Sequence, residues 1–369
     1  MSYAPPGRRV VVDEFGEDPL DAIDNHLRVE DQPPPDPATL LDTDVVIAVR
    51  SCAVGWVDLI MSSGQYQHMA SPPFVPGLEC AGEVVWKGSS VEGFALGDRV
   101  VPDGLRTGPR SLGAYQAYGG FASYVVAPAE ALIALPERLS FDQAVNLLGN
   151  YETAYHALVI RGRLQAGETI LIHGASGSTG LAAVHVAKHL GATVIATGRS
   201  AAKLAVVGEE GADHLVRTVD DDGSPTRFRD EVKALTDGAG ADVVYDPVGG
   251  AISLESLRAI RFGGRYLVIG WAATPNVAKG KGGRGAPNVN TLPTNLILMK
   301  SLDVLGSPAA IAAHKDPTLR ETRLREILRW AAEGVITPHV GPAYPLEDIR
   351  SAMKAKWRSE FVGGCVVHP

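Results

Sequence analysis

The pattern of apolar and polar positions changes character along the chain. In the N-terminal part, short apolar runs such as 9–13 and 44–51 are separated by turns rich in glycine and proline. From residue 169 onward, apolar runs of strand length alternate with longer amphipathic stretches. The first pattern is typical of a β-rich, barrel-like domain, and the second is what a doubly wound parallel sheet requires.

Two further segments refine this α/β prediction. The stretch 31–44 contains four prolines and four aspartates, and we expect it to stay outside regular structure. The stretch 322–335 carries apolar residues at Leu324, Ile327, Leu328 and Ala331, which predicts a helix with one half-buried face. A chain of 369 residues is also too long for one typical core and suits two domains.

The most informative stretch runs from residue 168 to 199. An apolar strand at 169–172 is followed by a glycine-rich turn, a helix at 181–190 that Gly191 ends, and a second strand at 193–196. The turn is made of Gly174, Ala175, Ser176, Gly177, Ser178, Thr179 and Gly180. One glycine permits the tight turn, one lets the backbone approach a pyrophosphate, and one lets helix and strand pack closely. The sequence therefore predicts a dinucleotide-binding unit, with phosphates at the start of the helix.

The residues after the second strand indicate which dinucleotide binds. Sites that prefer NAD usually place Asp or Glu there, to accept hydrogen bonds from the ribose hydroxyls. This chain has Gly198, Arg199 and Ser200, followed by Lys203. Two cations and a hydroxyl suit a 2′-phosphate, which a carboxylate would repel. We expect NADPH as the cofactor.

Composition excludes several classes of function. A net charge of −8 argues against a general nucleic-acid or membrane-surface binder, and no apolar run reaches the length of a membrane span. The N-terminus lacks the apolar core of a secretory signal, and three scattered cysteines cannot form a disulfide framework. His185 and His189 are four residues apart on a helix but lack a third ligand. We expect a cytoplasmic protein that acts on a small-molecule substrate.

Several segments resemble the medium-chain dehydrogenase/reductase superfamily, and most closely its zinc-independent, quinone oxidoreductase-like branch. They are PPFVPGLECAGEVV, GFALGDRVV, GGFASYVVAP, ETAYHAL, GETILIHGASGSTGLAAVHVAKHLGA and VVYDPVGG. The resemblance implies a GroES-like catalytic domain formed by residues 1–145 and 338–369. It implies a Rossmann NADP-binding domain at 146–337. By analogy we also expect a homodimer that pairs sheet edges, with SLDVLGS as such an edge.

Relatives with catalytic zinc place a cysteine and a histidine where this chain has Gly55 and Leu78. Neither residue offers a side-chain lone pair to a metal. The four cysteines of the relatives' structural zinc lobe are also absent from residues 101–125. We expect no metal.

The resemblance also suggests the other site residues. Tyr66 aligns with a tyrosine near the nicotinamide, where it would donate to the acceptor or wall the cleft. Asn150 and Tyr151 are possible hydrogen-bond donors to the acceptor, with a structural role as the alternative for each. Trp271 would wall the pocket or belong to the core. The turn of Asp246, Pro247, Val248 and Gly249 and the pair Gly270 and Trp271 would lie on the nicotinamide side.

The leading hypothesis is an NADPH-dependent, zinc-free reductase of quinones or α,β-unsaturated carbonyl compounds. One alternative is an enoyl-thioester (acyl-CoA type) reductase, in which a basic loop at 275–291 grips CoA phosphates through Lys279, Lys281 and Arg284. The competing interpretation of that loop is a solvated, flexible connection. The second alternative is an NADPH-binding protein without turnover.

Overall fold

The computed structural model describes residues 3–68, 70–111, 113–274 and 290–369. These residues form two units. One comprises the residues up to Leu148 together with Thr337–Pro369, and the other lies between Gly149 and Ile336. The sequence placed the domain boundaries at 145/146 and 337/338. The first unit thus contains both ends of the chain.

Strands and helices are numbered in chain order. The strands are β1 Gly7–Val12, β2 Leu27–Gln32, β3 Asp44–Ala53, β4 Glu79–Lys87, β5 Arg99–Pro102, β6 Tyr124–Pro128, β7 Leu132–Ala134, β8 Thr169–Ile172, β9 Thr193–Gly198, β10 His214–Arg217, β11 Ala241–Asp246, β12 Ile260–Val268, β13 Asp303–Gly306, β14 Val340–Pro345 and β15 Gly364–His368. The α-helices are α1 Pro19–Asn25, α2 Trp56–Ser62, α3 Phe141–Val145, α4 Leu148–Tyr155, α5 Ser178–His189, α6 Ala201–Glu209, α7 Phe228–Ala234, α8 Ala251–Ala259, α9 Thr294–Met299, α10 Ala309–Lys315, α11 Thr318–Glu333 and α12 Ile349–Trp357. A π-helical turn, His156–Arg161, continues α4.

The first unit is built around a largely antiparallel sheet. Its strand order in the described residues is β14-β15-β3-β4-β5-β7, with β6 paired to β3, while β1 and β2 form a separate ribbon. The central strand β3 is buried on both faces, because Val45, Ile47 and Val49 pack in one apolar cluster and Val46 packs in another. This sheet confirms the β-rich first domain.

The second unit contains a parallel sheet. Its order among the described strands is β10-β9-β8-β11-β12-β13. The chain proceeds outward from β8 to β10 and then returns to the other side of β8 with β11. Ligands of such sheets bind beyond the carboxyl ends of the strands, at the point where the order reverses. The predicted doubly wound sheet is confirmed, and its reversal point lies between β8 and β11.

Several boundaries differ from those that the sequence predicts. Helix α1 and strand β2 were not predicted, although Asp18 caps α1 by accepting from two backbone N–H groups and Pro19 opens it. Helix α5 begins at Ser178, three residues earlier than expected, so part of the glycine turn is helical. No helix in the described part of the chain is long and apolar enough to cross a membrane.

Candidate functional site

The turn after β8 requires glycine at two of its three glycine positions. Gly174 has φ +57°, a left-handed conformation that glycine adopts without strain. A Cβ on Gly180 would lie 2.2 Å from the Gly174 carbonyl oxygen and would push α5 off the turn. A Cβ on Gly177 would approach that oxygen to no less than 3.3 Å. Backbone conformation therefore explains Gly174 and packing explains Gly180, whereas Gly177 leaves exposed backbone open to a ligand.

The remaining residues of the turn give it the character of a phosphate site. Ala175 is buried, and its N–H donates to the Thr197 carbonyl (3.2 Å), which pins the turn to β9. Ser176, Ser178 and Thr179 are half-buried. The last two open the 12-residue α5, whose first N–H groups and positive dipole end favour an anion. The geometry fits the linked phosphates of a dinucleotide.

His173, which we did not single out from the sequence, braces this turn from within. It is fully buried, with Nδ1 2.7 Å from Thr197 Oγ1 and Nε2 2.6 Å from Ser256 Oγ. Since the Ser256 hydroxyl donates to the Ile252 carbonyl, its oxygen accepts from Nε2–H, and Nδ1 accepts from Thr197. Burial lowers the pKa of His173 below its usual value. The ring is therefore a neutral link between β8, β9 and α8.

The predicted 2′-phosphate residues lie at the end of β9 and the start of α6. Arg199 is exposed, and Ser200 caps α6 by accepting from the Lys203 N–H (3.4 Å). The Leu204 side chain lies 3.2 Å from where a Gly198 Cβ would be, so Gly198 is close-packed against α6. This cap places the Ser200 hydroxyl beside the first turn of α6, which also contains Lys203. Two cations and a hydroxyl are thus brought to one strand end.

The turn after β11 is organised by the carboxylate of Asp246. Its Oδ1 accepts from the N–H groups of Val248 and Gly249, both at 2.8 Å. Its Oδ2 accepts from the Tyr266 hydroxyl and lies 3.2 Å from Ser253 Oγ. The carboxylate is 1% exposed and fully used inside the protein. The Asp246 side chain therefore holds the turn, and the expected contact of this turn with the cofactor stays a prediction in which only neighbouring backbone can face a ligand.

The segment after β12 packs onto this turn. The N–H groups of Ala272 and Ala273 donate to the carbonyls of Pro247 (3.1 Å) and Val248 (2.9 Å). A Cβ on Gly270 would lie 3.1 Å from the Pro247 oxygen. Trp271 is 52% exposed, which excludes the core position considered as its alternative. The four residues 246–249 and the pair Gly270 and Trp271 therefore form one connected edge.

Asn150 and Tyr151 both lie on α4, where the second unit begins. Asn150 is half-buried. The Tyr151 hydroxyl lies 2.6 Å from His185 Nδ1, and His185 Nε2 lies 2.9 Å from Glu210 Oε2. Burial raises the pKa of Tyr151 well above its usual value. This tyrosine is engaged within the unit, and so is His185.

The first unit has its own buried polar centre at Asp58. This carboxylate is 1% exposed and accepts from three backbone N–H groups: Gly55 at 2.9 Å, and Gly77 and Leu78 at 3.1 Å each. Burial raises the pKa of Asp58 to about 7 despite these donors. Asp58 thereby fixes the backbone at both positions where zinc-dependent relatives carry ligands.

Glu79 and Arg110 form an ion pair beside this centre. Glu79 Oε1 and Arg110 Nη2 are 3.0 Å apart, and both side chains are largely buried. Arg110 did not stand out in the sequence, since it lies in an irregular segment far from Glu79. Tyr66 is 7% exposed and belongs to the apolar cluster of this unit, together with Leu78 and Cys80. Its ring is thus fixed by packing.

Comparisons with known proteins agree with this architecture. Residues 41–137 match the model of the alcohol dehydrogenase GroES-like domain, and residues 178–316 match that of zinc-binding dehydrogenases. The chain is 32% identical to the quinone oxidoreductase-like protein 2 homolog of Nematostella vectensis, over 88% of this chain and 82% of that protein. The chain belongs to the medium-chain dehydrogenase/reductase superfamily. The resemblance noted from the sequence is confirmed, as are the GroES-like and Rossmann domains.

Two solved structures of this superfamily cover nearly all of the chain. A mycobacterial protein complexed with NADPH superposes with a TM-score of 0.77 at 26% identity, covering 98% of this chain and 100% of its own. The quinone oxidoreductase of Pseudomonas syringae gives a TM-score of 0.75 at 26% identity, with the same coverage. Membership places this chain among oxidoreductases that use a nicotinamide cofactor.

The residues present do not fit the zinc that the second family model names. Gly55 and Leu78 provide no ligand atoms, and the Asp58 carboxylate is occupied by backbone donors. The described part of the chain contains no group of three or more His, Cys, Asp or Glu residues that could hold a metal ion. The basic residues Lys279, Lys281 and Arg284 lie outside the described residues.

Proposed function

We propose that this chain is an NADPH-dependent oxidoreductase that delivers hydride to quinones or α,β-unsaturated carbonyl compounds without catalytic zinc. The observation that carries the proposal is the centre at Asp58. Asp58 fixes the backbone there, but the positions that the resemblance assigns to zinc ligands hold Gly55 and Leu78. Without a Lewis acid, the chemistry must suit an acceptor whose own resonance disperses the incoming charge.

The second unit supplies the cofactor site. The N-terminus of α5 would hold the pyrophosphate, with Gly177 allowing close approach. Arg199, Ser200 and Lys203 would hold the 2′-phosphate, and the absence of a carboxylate at this strand end disfavours NADH. A superfamily neighbour complexed with NADPH supports the same choice. When bound, NADPH supplies the hydride.

The protein's own groups would assist the acceptor. We assign Tyr66 as the hydrogen-bond donor to the acceptor oxygen, with Asn150 as a second polar group. The packed position of Tyr66 holds its ring in one orientation, which favours a defined donor direction. We assign Tyr151 a structural role, because its hydroxyl is already engaged with His185.

The decisive experiment follows NADPH oxidation under anaerobic conditions, with a chelator present, against 1,2-naphthoquinone, a 2-alkenal and crotonyl-CoA. Turnover of the quinone or the alkenal that survives the chelator is expected. Activity confined to crotonyl-CoA would replace the proposal with the thioester reductase. NADPH binding without turnover of any acceptor would make the chain a cofactor-binding protein. Activity that the chelator abolishes would refute the zinc-free mechanism.

We also propose a homodimer that pairs the β13 edges of the parallel sheets. Strand β13 ends the sheet among the described strands, and Val304 on it is 37% exposed. Leu298 and Met299, just before it on α9, are 81% and 71% exposed. Such an apolar edge invites pairing with an identical edge. Light scattering should give twice the chain mass of 38.9 kDa, and Leu298→Glu should reduce that mass.

A further inference from the structure

The turn after β11 is held from two sides. From its own strand, Asp246 Oδ1 accepts from the N–H groups of Val248 and Gly249. From outside, Asn290 Oδ1 accepts from the next N–H in line, that of Gly250, at 3.3 Å. Three consecutive N–H groups are therefore committed to the protein itself. The turn can present its shape to a ligand, but not these donors.

Asn290 makes a second contact that joins it to the Asp246 network. Its Oδ1 lies 3.0 Å from Ser253 Oγ, and that hydroxyl is also 3.2 Å from Asp246 Oδ2. Ser253 is fully buried at the start of α8. The Asn290 amide nitrogen also lies 3.0 Å from the position of a Cβ on Gly249, so it packs directly over the turn.

The outside contact matters because the turn contains the two most adaptable residues of this edge. Gly249 and Gly250 have φ values of +70° and +67°. Two adjacent glycines have more accessible conformations than any other residue pair, so an unsupported turn here would sample several shapes. The Asp246 carboxylate reaches as far as Gly249, and Asn290 secures Gly250.

We infer that Asn290 is a positioning residue for the nicotinamide half of the cofactor. In a doubly wound sheet the two halves of a dinucleotide lie on opposite sides of the reversal point. Arg199 and Lys203, at the β9 side, would take the adenosine 2′-phosphate, which leaves the β11–β12 side to the nicotinamide. The inference rests on the proposed cofactor function and extends it to a residue that the sequence did not single out.

The test compares Asn290→Ala with Asn295→Ala, a control at an exposed asparagine on α9. Calorimetry measures the binding of NADPH and of 2′,5′-ADP, which lacks the nicotinamide half. Hydrogen exchange of the Gly249 and Gly250 amides is followed in the cofactor-free protein. Asn290→Ala should raise the Kd for NADPH about tenfold and change the Kd for 2′,5′-ADP by less than about twofold. It should also increase the hydrogen-exchange rate of the Gly250 amide. Ser253→Ala should weaken NADPH binding by a smaller factor in the Asn290→Ala variant than in the wild-type protein, because the two side chains act together.

Three outcomes would overturn the inference. Equal weakening of both ligands would make Asn290 a general structural residue. If the wild-type protein binds NADPH and Asn290→Ala binds it with the same affinity, Asn290 has no positioning role, and the cofactor proposal is unaffected. Failure of the wild-type protein to bind either ligand would instead refute the cofactor proposal itself, and the wild-type titration identifies that case directly.

Discussion

The glycine turn after β8 and the Asp58 centre of the first unit are organised by different kinds of atoms. In the turn, the backbone sets the geometry: Gly174 needs a positive φ, and Gly180 needs room against the Gly174 carbonyl. At Asp58, one buried carboxylate gathers three N–H groups from two separate segments. A constraint of the first kind is local in sequence and visible as glycine spacing. A constraint of the second kind depends on which segments meet, and a lone aspartate does not reveal it.

The largest effect is expected where the backbone leaves no room. Gly180→Ala should destabilise the protein by about 3 kcal/mol and weaken NADPH at least about 100-fold, because its Cβ would meet the Gly174 oxygen at 2.2 Å. Gly177→Ala should change stability by less than about 1 kcal/mol yet weaken NADPH about tenfold. Thermal unfolding and fluorescence titration measure both effects. Gly113→Ala, where a Cβ would have open space, is the control. Equal behaviour of the Gly177 and Gly180 variants would contradict the separate roles.

The next effect is the contribution of the Asp58 carboxylate to the pH dependence of stability. The pKa of Asp58 lies at about 7 in the folded protein against 3.8 for the unperturbed group, because burial disfavours its charge and Glu79 adds to this. The folded state therefore binds the proton more tightly, and stability is lost as pH rises from about 4 to about 7. The loss amounts to at most about 4 kcal/mol.

Urea unfolding at pH 4.5 and 7.5 measures this contribution as a difference between two proteins. Wild type should lose more stability over that interval than Asp58→Asn, which cannot ionise at this position. Asp98→Asn, at a carboxylate in an exposed turn contact, provides the matched control. Parallel pH profiles of the wild type and Asp58→Asn would show that the three N–H donors outweigh burial and keep Asp58 ionised.

These two regions also show which features of the structure can be predicted from the sequence. The strands around the glycine turn, the doubly wound order and the helix stop at Gly191 follow from local patterns, and the structure confirms them. Helix α11 shows where the patterns fail: Ile327 and Ala331 are buried as predicted, but so is Arg323. Its guanidinium is neutralised by Glu152 at 2.7 Å, a partner 171 residues away that no periodicity reveals.

The candidate site divides in the same way. Gly174, Gly177 and Gly180 were predicted with their roles, because each role is a property of the backbone at one position. The buried links His173–Thr197–Ser256 and Asp246–Ser253–Asn290 were missed, since each joins residues from at least two strands or helices. The same reason explains why the supporting role of the Asp246 side chain was not predicted.

The two tyrosines test whether the first unit contributes chemistry as well as structure. Tyr66→Phe should lower kcat about 100-fold with little change in stability, if its hydroxyl donates to the acceptor. Tyr151→Phe should keep kcat within about twofold. It should lower the free energy of unfolding by about 1 kcal/mol, because His185 Nδ1 loses the Tyr151 hydroxyl as its partner. Steady-state kinetics and thermal unfolding of both variants decide the matter. The reverse pattern would assign the donor role to Tyr151 on α4 and leave Tyr66 with a packing role alone.

The smallest effect concerns cofactor choice at the end of β9. Arg199→Ala combined with Lys203→Ala should raise the Kd for NADPH about tenfold, since charge-assisted contacts to the 2′-phosphate are lost, and leave the Kd for NADH unchanged. Arg325→Ala, at an exposed arginine on α11, controls for the loss of a surface cation. Raising salt should weaken NADPH binding to wild type more than to the double variant, because screening acts on the same contacts. Equal losses for NADPH and NADH would mean that these cations serve the pyrophosphate or the fold. That result would remove the argument for NADPH from this strand end.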